Sequence, residues 1–253
     1  MRPDAPPSAL PRISVVTVVR NGAATIERCL RSVSRQAYPR LGHLIVDGAS
    51  TDETVAIVRR HLPPVECLVS EPDAGIYDAM NKAVRLADGD FLLFLGADDE
   101  LLADLGEIAP RLTSPSTVYY GDAEWPRRGR PYDGPFDAAK LARRNICQQA
   151  VLYPRRVFER YSFDLRYPLQ ADWELHMRLF ADPAFRFQHL PVVVSRYDDA
   201  GGRSSRERDR ALEADYPRLL WRHFPARVAL PRAAVALAGR ALRRLGLRGG
   251  GHR

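Results

Sequence analysis

Asp90-Phe-Leu-Leu-Phe-Leu-Gly-Ala-Asp-Asp99 is the stretch of sequence that decides the fold. Its continuous apolar run, Phe91 to Leu95, indicates a strand buried on both faces, as in a parallel sheet. A glycine ends the run, and two adjacent carboxylates, Asp98 and Asp99, follow directly. Because ligands of open α/β sheets collect outside the carboxyl ends of the strands, these acids are expected where a substrate binds. A polar turn after a core strand is the alternative for an isolated Asp-Asp pair.

The residues before this strand alternate between strand and helix patterns. Strands are predicted over 13–19, 43–46 and 66–69, and apolar residues recur at helical spacing after each of them. Asn21 can cap the first helix, and Ser50 and Glu53 have the spacing of a capping box for the second. This alternation predicts an α/β fold with a doubly wound, mainly parallel sheet over residues 12–99.

Beyond Asp99 the pattern becomes mixed, so a mixed C-terminal half is expected. The predicted elements are a helix over 101–112, an antiparallel or edge strand over 117–125, a polar turn over 127–134, a short helix over 137–144, a short strand over 149–153, a helix from about 172, a strand over 185–197 and a helix over 206–224. No linker-like composition interrupts this region. We therefore treat 12–225 as one domain, with a proline-rich, disordered tail over 1–11.

Charge separates the C-terminal segment from the rest of the chain. Residues 226–253 contain seven arginines and no acid, which equals the formal net charge of +7. The remainder is neutral, so no global charge excess supports nucleic-acid binding. The three cysteines have no metal-ligand spacing. We interpret them as small core residues of a protein in a reducing compartment. Because the sequence offers neither a signal peptide nor about 20 uninterrupted apolar residues, a cytoplasmic protein is expected.

Acids recur where the predicted strands end. Asp47 ends the second strand, Asp73 follows the third, and Asp98 and Asp99 follow the fourth. Each alone has the position of a turn residue, but together they line one edge of one sheet. The arrangement suits a nucleotide across the strand ends, with its diphosphate bridged to the acids by a divalent metal. Neither a P-loop nor a Gly-x-Gly-x-x-Gly motif is present.

Four motifs occur in order along the first hundred residues: Ile13-Ser-Val-Val-Thr-Val-Val-Arg-Asn-Gly22, Val46-Asp-Gly-Ala-Ser-Thr-Asp52, Ser70-Glu-Pro-Asp-Ala-Gly-Ile-Tyr-Asp-Ala-Met-Asn-Lys82 and Phe94-Leu-Gly-Ala-Asp-Asp99. Together they resemble glycosyltransferase family 2 and, within it, the bacterial exopolysaccharide and colanic-acid type of enzyme. Weaker matches follow at Cys147–Tyr153, Gln170–Leu175 and Gly201–Ser205. The resemblance covers roughly residues 12–215. Many relatives carry a second acid after the second strand, where this sequence has Gly48.

The resemblance implies a GT-A fold, a nucleotide-sugar donor, Mg²⁺ or Mn²⁺, and an inverting displacement in cell-surface polysaccharide synthesis. Asp99 would bind the metal, Asp98 would lie nearer the ribose, and Asp172 would be the general base. The donor would contact Asp98, Asp99 and a further set of residues: Val19, Asn21, Asp47, Asp73, Asn81 and Lys82. A base is needed because the acceptor hydroxyl, on a glycan or a polyprenyl-linked sugar, loses a proton as it attacks.

Alternatives remain open at this point. Asp172 could instead cap its helix, and His176, four residues later, could either neighbour it or have an ordinary structural role. A sugar-phosphate nucleotidyltransferase would use a similar metal site, and a non-catalytic basic protein could bind membranes. Residues 228–247 combine apolar residues with arginines. They are expected either to bind the anionic inner face of the plasma membrane or to pack on their own domain.

Overall fold

The computed structural model describes residues 10–61, 65–132, 134–198 and 207–244. The strands within these ranges are β1 Ile13–Val19, β2 Leu41–Asp47, β3 Val65–Ser70, β4 Phe91–Phe94, β5 Glu100–Leu101, β6 Thr117–Trp125, β7 Arg130–Tyr132, β8 Val151–Pro154 and β9 Arg186–Arg196. The α-helices are α1 Ile26–Ser34, α2 Thr54–Arg60, α3 Ile76–Leu86, α4 Leu105–Ile108, α5 Ala138–Leu141, α6 Arg156–Arg160, α7 Ala171–Ala181, α8 Arg210–His223 and α9 Ala226–Arg244.

One mixed sheet carries the fold. Its strand order is β3-β2-β1-β4-β8-β6-β9-β5, and β7 forms a hairpin with β6. The first four strands are parallel, which confirms the doubly wound half predicted from the sequence. The second half is mixed, as predicted, because β8 runs antiparallel to β4 and β6 whereas β9 runs parallel to β6.

The sheet is covered on both faces, which explains why its central strands are continuous apolar runs. All seven residues of β1 and all four of β4 are buried. Alternate residues point to opposite faces. Val16 and Phe94 pack in the cluster that contains α3 and α7, whereas Val15 and Leu93 pack in the cluster that contains α1 and α4. The functional strand ends therefore rest on a two-sided core.

Three predicted elements beyond Asp99 differ from the structure. The 101–112 helix is reduced to α4 and a 3-10 turn, because the chain first pairs with β9: the N–H groups of Leu102 and Ala103 donate to the carbonyl of Val194. For 117–125, the antiparallel alternative is confirmed by the pairing of β6 with β7 and β8, whereas the edge alternative is wrong because β6 lies between β8 and β9. The predicted turn over 127–134 contains β7.

Both predicted helix caps are wrong. Asn21 has a positive φ of 54° and its side chain accepts from the N–H of Thr51, while Thr25 is the N-cap of α1. In the predicted capping box, the hydroxyl of Ser50 instead donates to Asp47, and Glu53 occupies the N-cap position of α2 without a side-chain cap. Both loops are held by contacts with each other, which override the local capping pattern.

The C-terminal segment begins with a helix where the charge pattern changes. α9 starts at Ala226 and buries Ala229 and Ala233 in the larger core cluster, together with residues of α8. In the stretches that the structure covers, no helix has the length and apolar character needed to cross a bilayer. The 1–9 part of the predicted tail, the Gly201–Ser205 motif and residues 245–253 lie outside the described residues.

Candidate active site

The carboxyl ends of β1, β2 and β3 lie side by side. Val19 pairs with Asp47, and Asp47 pairs with Ser70, so these three residues form one row across the sheet. Val19 and Asp47 are two of the predicted donor residues. The Val19 carbonyl also accepts from the N–H of Gly48 at 2.8 Å. The sequence-predicted edge therefore exists as a continuous structural feature.

Asp47 is fully buried and its oxygens are used within the protein. Oδ2 accepts from the backbone N–H of Ser50 at 2.9 Å and from the Ser70 hydroxyl at 2.6 Å, and Oδ1 accepts from the Ser50 hydroxyl. The Ser50 hydroxyl oxygen in turn accepts from the N–H of Asn21 at 2.7 Å. Asp47 and Asn21 thus join the β1–α1 and β2–α2 loops and give this edge its shape.

Asp73 reaches the same edge from the loop after β3. Its Oδ1 accepts from the N–H of Gly75 at 2.9 Å, and its Oδ2 lies where a β-carbon on Gly48 would begin. The loop before α3 therefore turns back over the end of β2. This contact brings an acid from one strand end to the end of its neighbour.

Asp98 and Asp99 converge on Gly96. An added β-carbon on Gly96 would lie 2.5 Å from Asp99 Oδ2 and 2.8 Å from Asp98 Oδ1, so the glycine leaves room for both carboxylates. Asp99 is 1% exposed, and burial together with the charge of Asp98 raises its pKa to about 7. Burial also raises the pKa of Asp98. Two carboxyl groups held this close in a low-dielectric site favour a bound cation.

Further charged groups surround this pair. The N–H of Asp198, just after β9, donates to Asp99 Oδ1 at 2.8 Å. Arg28 on α1 donates to the Asp98 carbonyl at 2.7 Å and pairs with Glu100 at 3.3 Å. Sequence reasoning missed Arg28 and Asp198, because neither belongs to a strand-end motif and only the sheet topology brings them to Asp99.

A cavity of about 430 Å³ lies beside the acids and joins the two halves of the sheet. Asp98 and Asp172 both line it, although 74 positions separate them in the sequence. The cavity walls also contain Tyr77 and Met80 of α3, the Asn145–Gln149 segment, Leu169, Trp125 and Tyr197. The rings of Trp125 and Tyr197 pack with centroids 4.8 Å apart. The cavity therefore has acids at separate positions and apolar, aromatic walls.

Asp172 is held by two side chains. The Tyr77 hydroxyl donates to its Oδ1 and the Asn145 amide donates to its Oδ2, each at 2.6 Å. It is 8% exposed, and burial raises its pKa. The N-cap of α7 is Gln170, without a side-chain cap hydrogen bond, so Asp172 lies inside the first turn. The predicted helix-cap alternative for Asp172 is wrong.

The region that forms the sheet and the cavity matches a known protein family. Residues 14–190 match the family described as Glycosyl transferase family 2. The chain belongs to glycosyltransferase family 2. It is 40% identical over 206 residues to a PGL/p-HBAD biosynthesis glycosyltransferase of Mycobacterium bovis, with 78% of this chain and 80% of that protein covered. A Mycobacterium tuberculosis protein with the same description has the same identity and coverage.

Solved structures share the fold of this glycosyltransferase. The crystal structure of S. aureus TarS residues 1–349 in complex with UDP aligns with a TM-score of 0.67 at 17% identity, over 92% of this chain and 72% of that chain. The mannosyltransferase PcManGT from Pyrobaculum calidifontis, in complex with GDP-Man and Mn²⁺, aligns with a TM-score of 0.63 at 22% identity, over 93% and 76%. The expected GT-A fold is confirmed.

Two predicted donor residues of this family 2 glycosyltransferase have partners away from the cavity. The amide of Asn81 donates to and accepts from the backbone of Phe163, at 2.9 and 3.0 Å. Lys82 donates to the Pro72 carbonyl at 2.7 Å and pairs with Glu71 at 2.9 Å. Neither lines the cavity, so their observed contacts anchor α3 to its neighbouring loops.

The acid pair has the chemistry of a magnesium or manganese site completed by substrate. Carboxylate oxygens are the ligands such hard ions prefer, and Mg²⁺ is usually held by one or two carboxylates plus phosphates. In the part of the chain that the structure describes, no group of three or more His, Cys, Asp or Glu side chains could hold a metal. Asp98 and Asp99, beside a cavity large enough for a substrate, therefore fit a shared metal but not a closed protein cage.

Proposed function

We propose that this glycosyltransferase transfers a sugar from a nucleoside-diphosphate sugar to a hydroxyl group of a glycan or lipid-linked acceptor, with inversion at the anomeric carbon. The observation that carries this proposal is that Asp98 and Asp172 line one cavity from opposite halves of the sheet. Structural neighbours in complex with UDP and with GDP-Man and Mn²⁺ support a nucleotide-sugar donor.

Asp172 is the proposed general base. In an inverting displacement the acceptor oxygen attacks the anomeric carbon from the face opposite the leaving diphosphate. The base must therefore act in the same cavity as the groups that bind the diphosphate, and Asp172 and Asp98 both line one cavity. Its carboxylate takes the hydroxyl proton as the new glycosidic bond forms, and the bond from the anomeric carbon to the diphosphate oxygen breaks with its electron pair.

Asp98 and Asp99 are the proposed metal and donor ligands. A bound Mg²⁺ or Mn²⁺ would stabilise the charge that develops on the diphosphate without a proton transfer. Val19, Asn21, Asp47 and Asp73 are proposed to shape the donor subsite at the strand ends, because they lie along the same edge. Asn81 and Lys82 support this subsite by fixing α3, which carries Tyr77.

An amphipathic, membrane-associated acceptor is favoured over a free sugar. Ile76, Met80, Trp125 and Tyr197 give the cavity apolar and aromatic walls, of which Ile76 is 45% exposed. The outward face of α9 also carries exposed apolar residues next to an arginine-rich sequence. These features support a lipid-linked acceptor, and a cell-surface polysaccharide of the exopolysaccharide type is the other proposed product class; the similar mycobacterial proteins are described as PGL/p-HBAD biosynthesis glycosyltransferases.

A panel of nucleoside-diphosphate sugars tests the proposed reaction. We would measure nucleoside-diphosphate release with Mg²⁺ or Mn²⁺, alone and with glycan or polyprenyl-linked sugar acceptors. The expected result is metal-dependent release that an acceptor accelerates, with inverted configuration of the product by NMR. Retention of configuration would exclude direct displacement, and attack at the α-phosphorus, seen as pyrophosphate release from a nucleoside triphosphate, would favour a nucleotidyltransferase instead.

A further inference from the structure

A chain of hydrogen bonds runs from the candidate base into the core. Asn145 Nδ2 lies 2.6 Å from Asp172 Oδ2, and Asn145 Oδ1 lies 2.6 Å from His176 Nδ1. His176 Nε2 lies 2.5 Å from the Tyr153 hydroxyl. These side chains come from the loop after α5, from α7 and from β8. Four residues that no single motif connects therefore meet in one continuous series.

The direction of each bond follows from the chemistry of the groups. An ionised carboxylate only accepts, so Asn145 must present its NH₂ group to Asp172. Its carbonyl then faces His176, which must donate from Nδ1–H. His176 is fully buried, which lowers its pKa to about 3, so the ring is neutral and its Nε2 accepts from the Tyr153 hydroxyl. Every donor in the series therefore points toward Asp172.

We propose that Asn145 and His176 are positioning residues, which hold the Asp172 carboxylate in one orientation and in its ionised form so that it can receive the acceptor proton. This role rests on the proposed function of Asp172 as general base. With Tyr77 on Oδ1 and Asn145 on Oδ2, each oxygen receives a hydrogen bond from a side chain that is itself held by the fold. His176 acts one step further away, by preventing the Asn145 amide from rotating and presenting its oxygen to the carboxylate.

The titratable groups around Asp172 are neutral near pH 7, which makes these hydrogen bonds decisive. Burial raises the pKa of Tyr77 on α3 and of Tyr153 on β8. It also raises the pKa of the Cys147 thiol, which lies on the same cavity wall. His176, on the same helix as Asp172, is uncharged. Because these groups provide no positive charge, donated hydrogen bonds are what offsets the burial of the carboxylate.

The tautomer of His176 provides a test that needs no substrate. We would record the imidazole ¹⁵N signals of the full chain between pH 5 and pH 9 by long-range ¹H–¹⁵N NMR, and assign them with the His176→Asn variant. The expected result is a neutral Nδ1–H ring that does not titrate in this interval. An Nε2–H tautomer would overturn the proposal, because Nδ1 would then accept from Asn145, and Asn145 would have to present its oxygen to Asp172.

Kinetics separate positioning from a structural role. In His176→Phe and Asn145→Leu, we expect kcat for nucleoside-diphosphate release to fall roughly 10- to 100-fold, the effect of losing a hydrogen bond to a charged group. The donor KM should stay unchanged, and the acidic limb of the pH profile should move to higher pH. His176→Asn keeps a donor near the Nδ1 position and should recover most of kcat.

Tyr167→Phe is the matched control. The buried Tyr167 donates to Asp215 Oδ2 at 2.7 Å, away from the cavity lining, so this variant should lose stability and keep kcat and the pH profile. If His176→Phe and Asn145→Leu behave like this control, the positioning role is contradicted although the proposed function stands. If the wild-type protein releases no nucleoside diphosphate from any donor, the proposed function fails, and the role in catalysis fails with it.

Discussion

The carboxylate of Asp73 lies where a side chain on Gly48 would begin: an added β-carbon there would overlap Asp73 Oδ2 and lie 3.2 Å from its Cγ. Directly after Asp47 the sequence has Gly48, which carries no side chain. The fold places an acid at this point from the next strand end. The absence of a side chain at position 48 and the presence of Asp73 are thus one structural feature.

Gly48→Ala is therefore expected to displace Asp73 without unfolding the protein. The overlapping atom is the end of a side chain that can rotate away, so the melting temperature should change little. Donor affinity should fall roughly tenfold, and Asp73→Asn should have a similar effect, since both changes remove one charged hydrogen-bond acceptor. Isothermal titration with nucleoside-diphosphate sugars would measure the donor affinity.

Gly106→Ala is the control, because Gly106 lies on α4 and does not line the cavity. Unchanged donor affinity in Gly48→Ala would exclude Asp73 from the donor subsite.

Asp172→Asn should separate catalysis from binding. The variant keeps the size of the side chain but cannot take a proton, so we expect kcat to fall by roughly 10²- to 10⁴-fold with unchanged donor affinity. Asp137→Asn is the control, because Asp137 is a true N-cap whose Oδ1 accepts from the N–H of Lys140 at 2.7 Å. A rate in Asp172→Asn close to that of the control would assign the base to another residue.

Loss of the acid pair should make donor binding independent of metal. We expect a chelator to abolish transfer by the wild-type protein, and Mg²⁺ or Mn²⁺ to enhance thermal stabilisation by the donor. Asp98→Asn and Asp99→Asn should remove that enhancement, because each deletes a carboxylate that converges on Gly96. Asp88→Asn, an exposed acid paired with Arg12, should retain it. Full transfer activity in chelator would contradict a metal-dependent mechanism.

The sequence predicted the half of the molecule whose structure is set by local patterns. The β-branched run of β1 and the continuous apolar run of β4 indicated strands buried on both faces, which is how the structure places them. The Asp172 environment was not predictable in this way. Asn145 and Tyr77 reach Asp172, and Tyr153 reaches His176, through tertiary packing of separate elements, and no spacing in the sequence encodes that packing. His176 was expected, as one alternative, to neighbour Asp172 on one helical face, and in the structure Asn145 bridges the two side chains.

The same limit applies to the caps. Asn21 and Ser50 have the residue types of helix caps, yet their side chains and backbone groups bind each other's loops. A capping pattern is a local preference worth about 1 kcal/mol, so a network between two adjacent loops can replace it. The strand-end acids were predictable as a group because the parallel sheet places all carboxyl ends at one edge.

His43 should make stability fall in mildly acidic solution. Burial lowers its pKa to about 3, and its Nε2 lies 3.0 Å from the Thr17 hydroxyl. The unfolded chain binds a proton at His43 below about pH 6.5, whereas the folded protein does not, so this stabilising contribution is lost as the pH falls from 6.5 toward 3. The free energy of unfolding of the wild type should therefore decrease relative to His43→Gln by up to about 1.4 kcal/mol per pH unit. Denaturant titrations at several pH values measure this difference, which should be constant above pH 7.5; a constant difference at every pH would show that His43 titrates normally.

The exposed apolar surface of α9 is predicted to bind an anionic membrane. Ala229 and Ala233 face the core, whereas Leu230, Val235 and Leu237 are 56%, 61% and 53% exposed. From Tyr216 to the end of the chain there are nine arginines and no acid. Exposed apolar side chains on a basic helix match the interface of an anionic bilayer, where a lipid-linked acceptor would also lie.

Substitutions test this surface better than truncation, because removing α9 would also uncover the core around Ala229. In sedimentation with anionic and neutral liposomes, the wild type should bind only the anionic ones, and high salt should release it. Leu230→Gln combined with Leu237→Gln should weaken binding severalfold, since each change removes apolar area from the interface. Leu165→Gln is the control: Leu165 is 50% exposed but lies outside α9, so this variant should bind the liposomes as the wild type does. Equal sedimentation of the double variant and the wild type would mean that this face of α9 does not contact the membrane, and a glycolipid acceptor would then have to reach the cavity by another route.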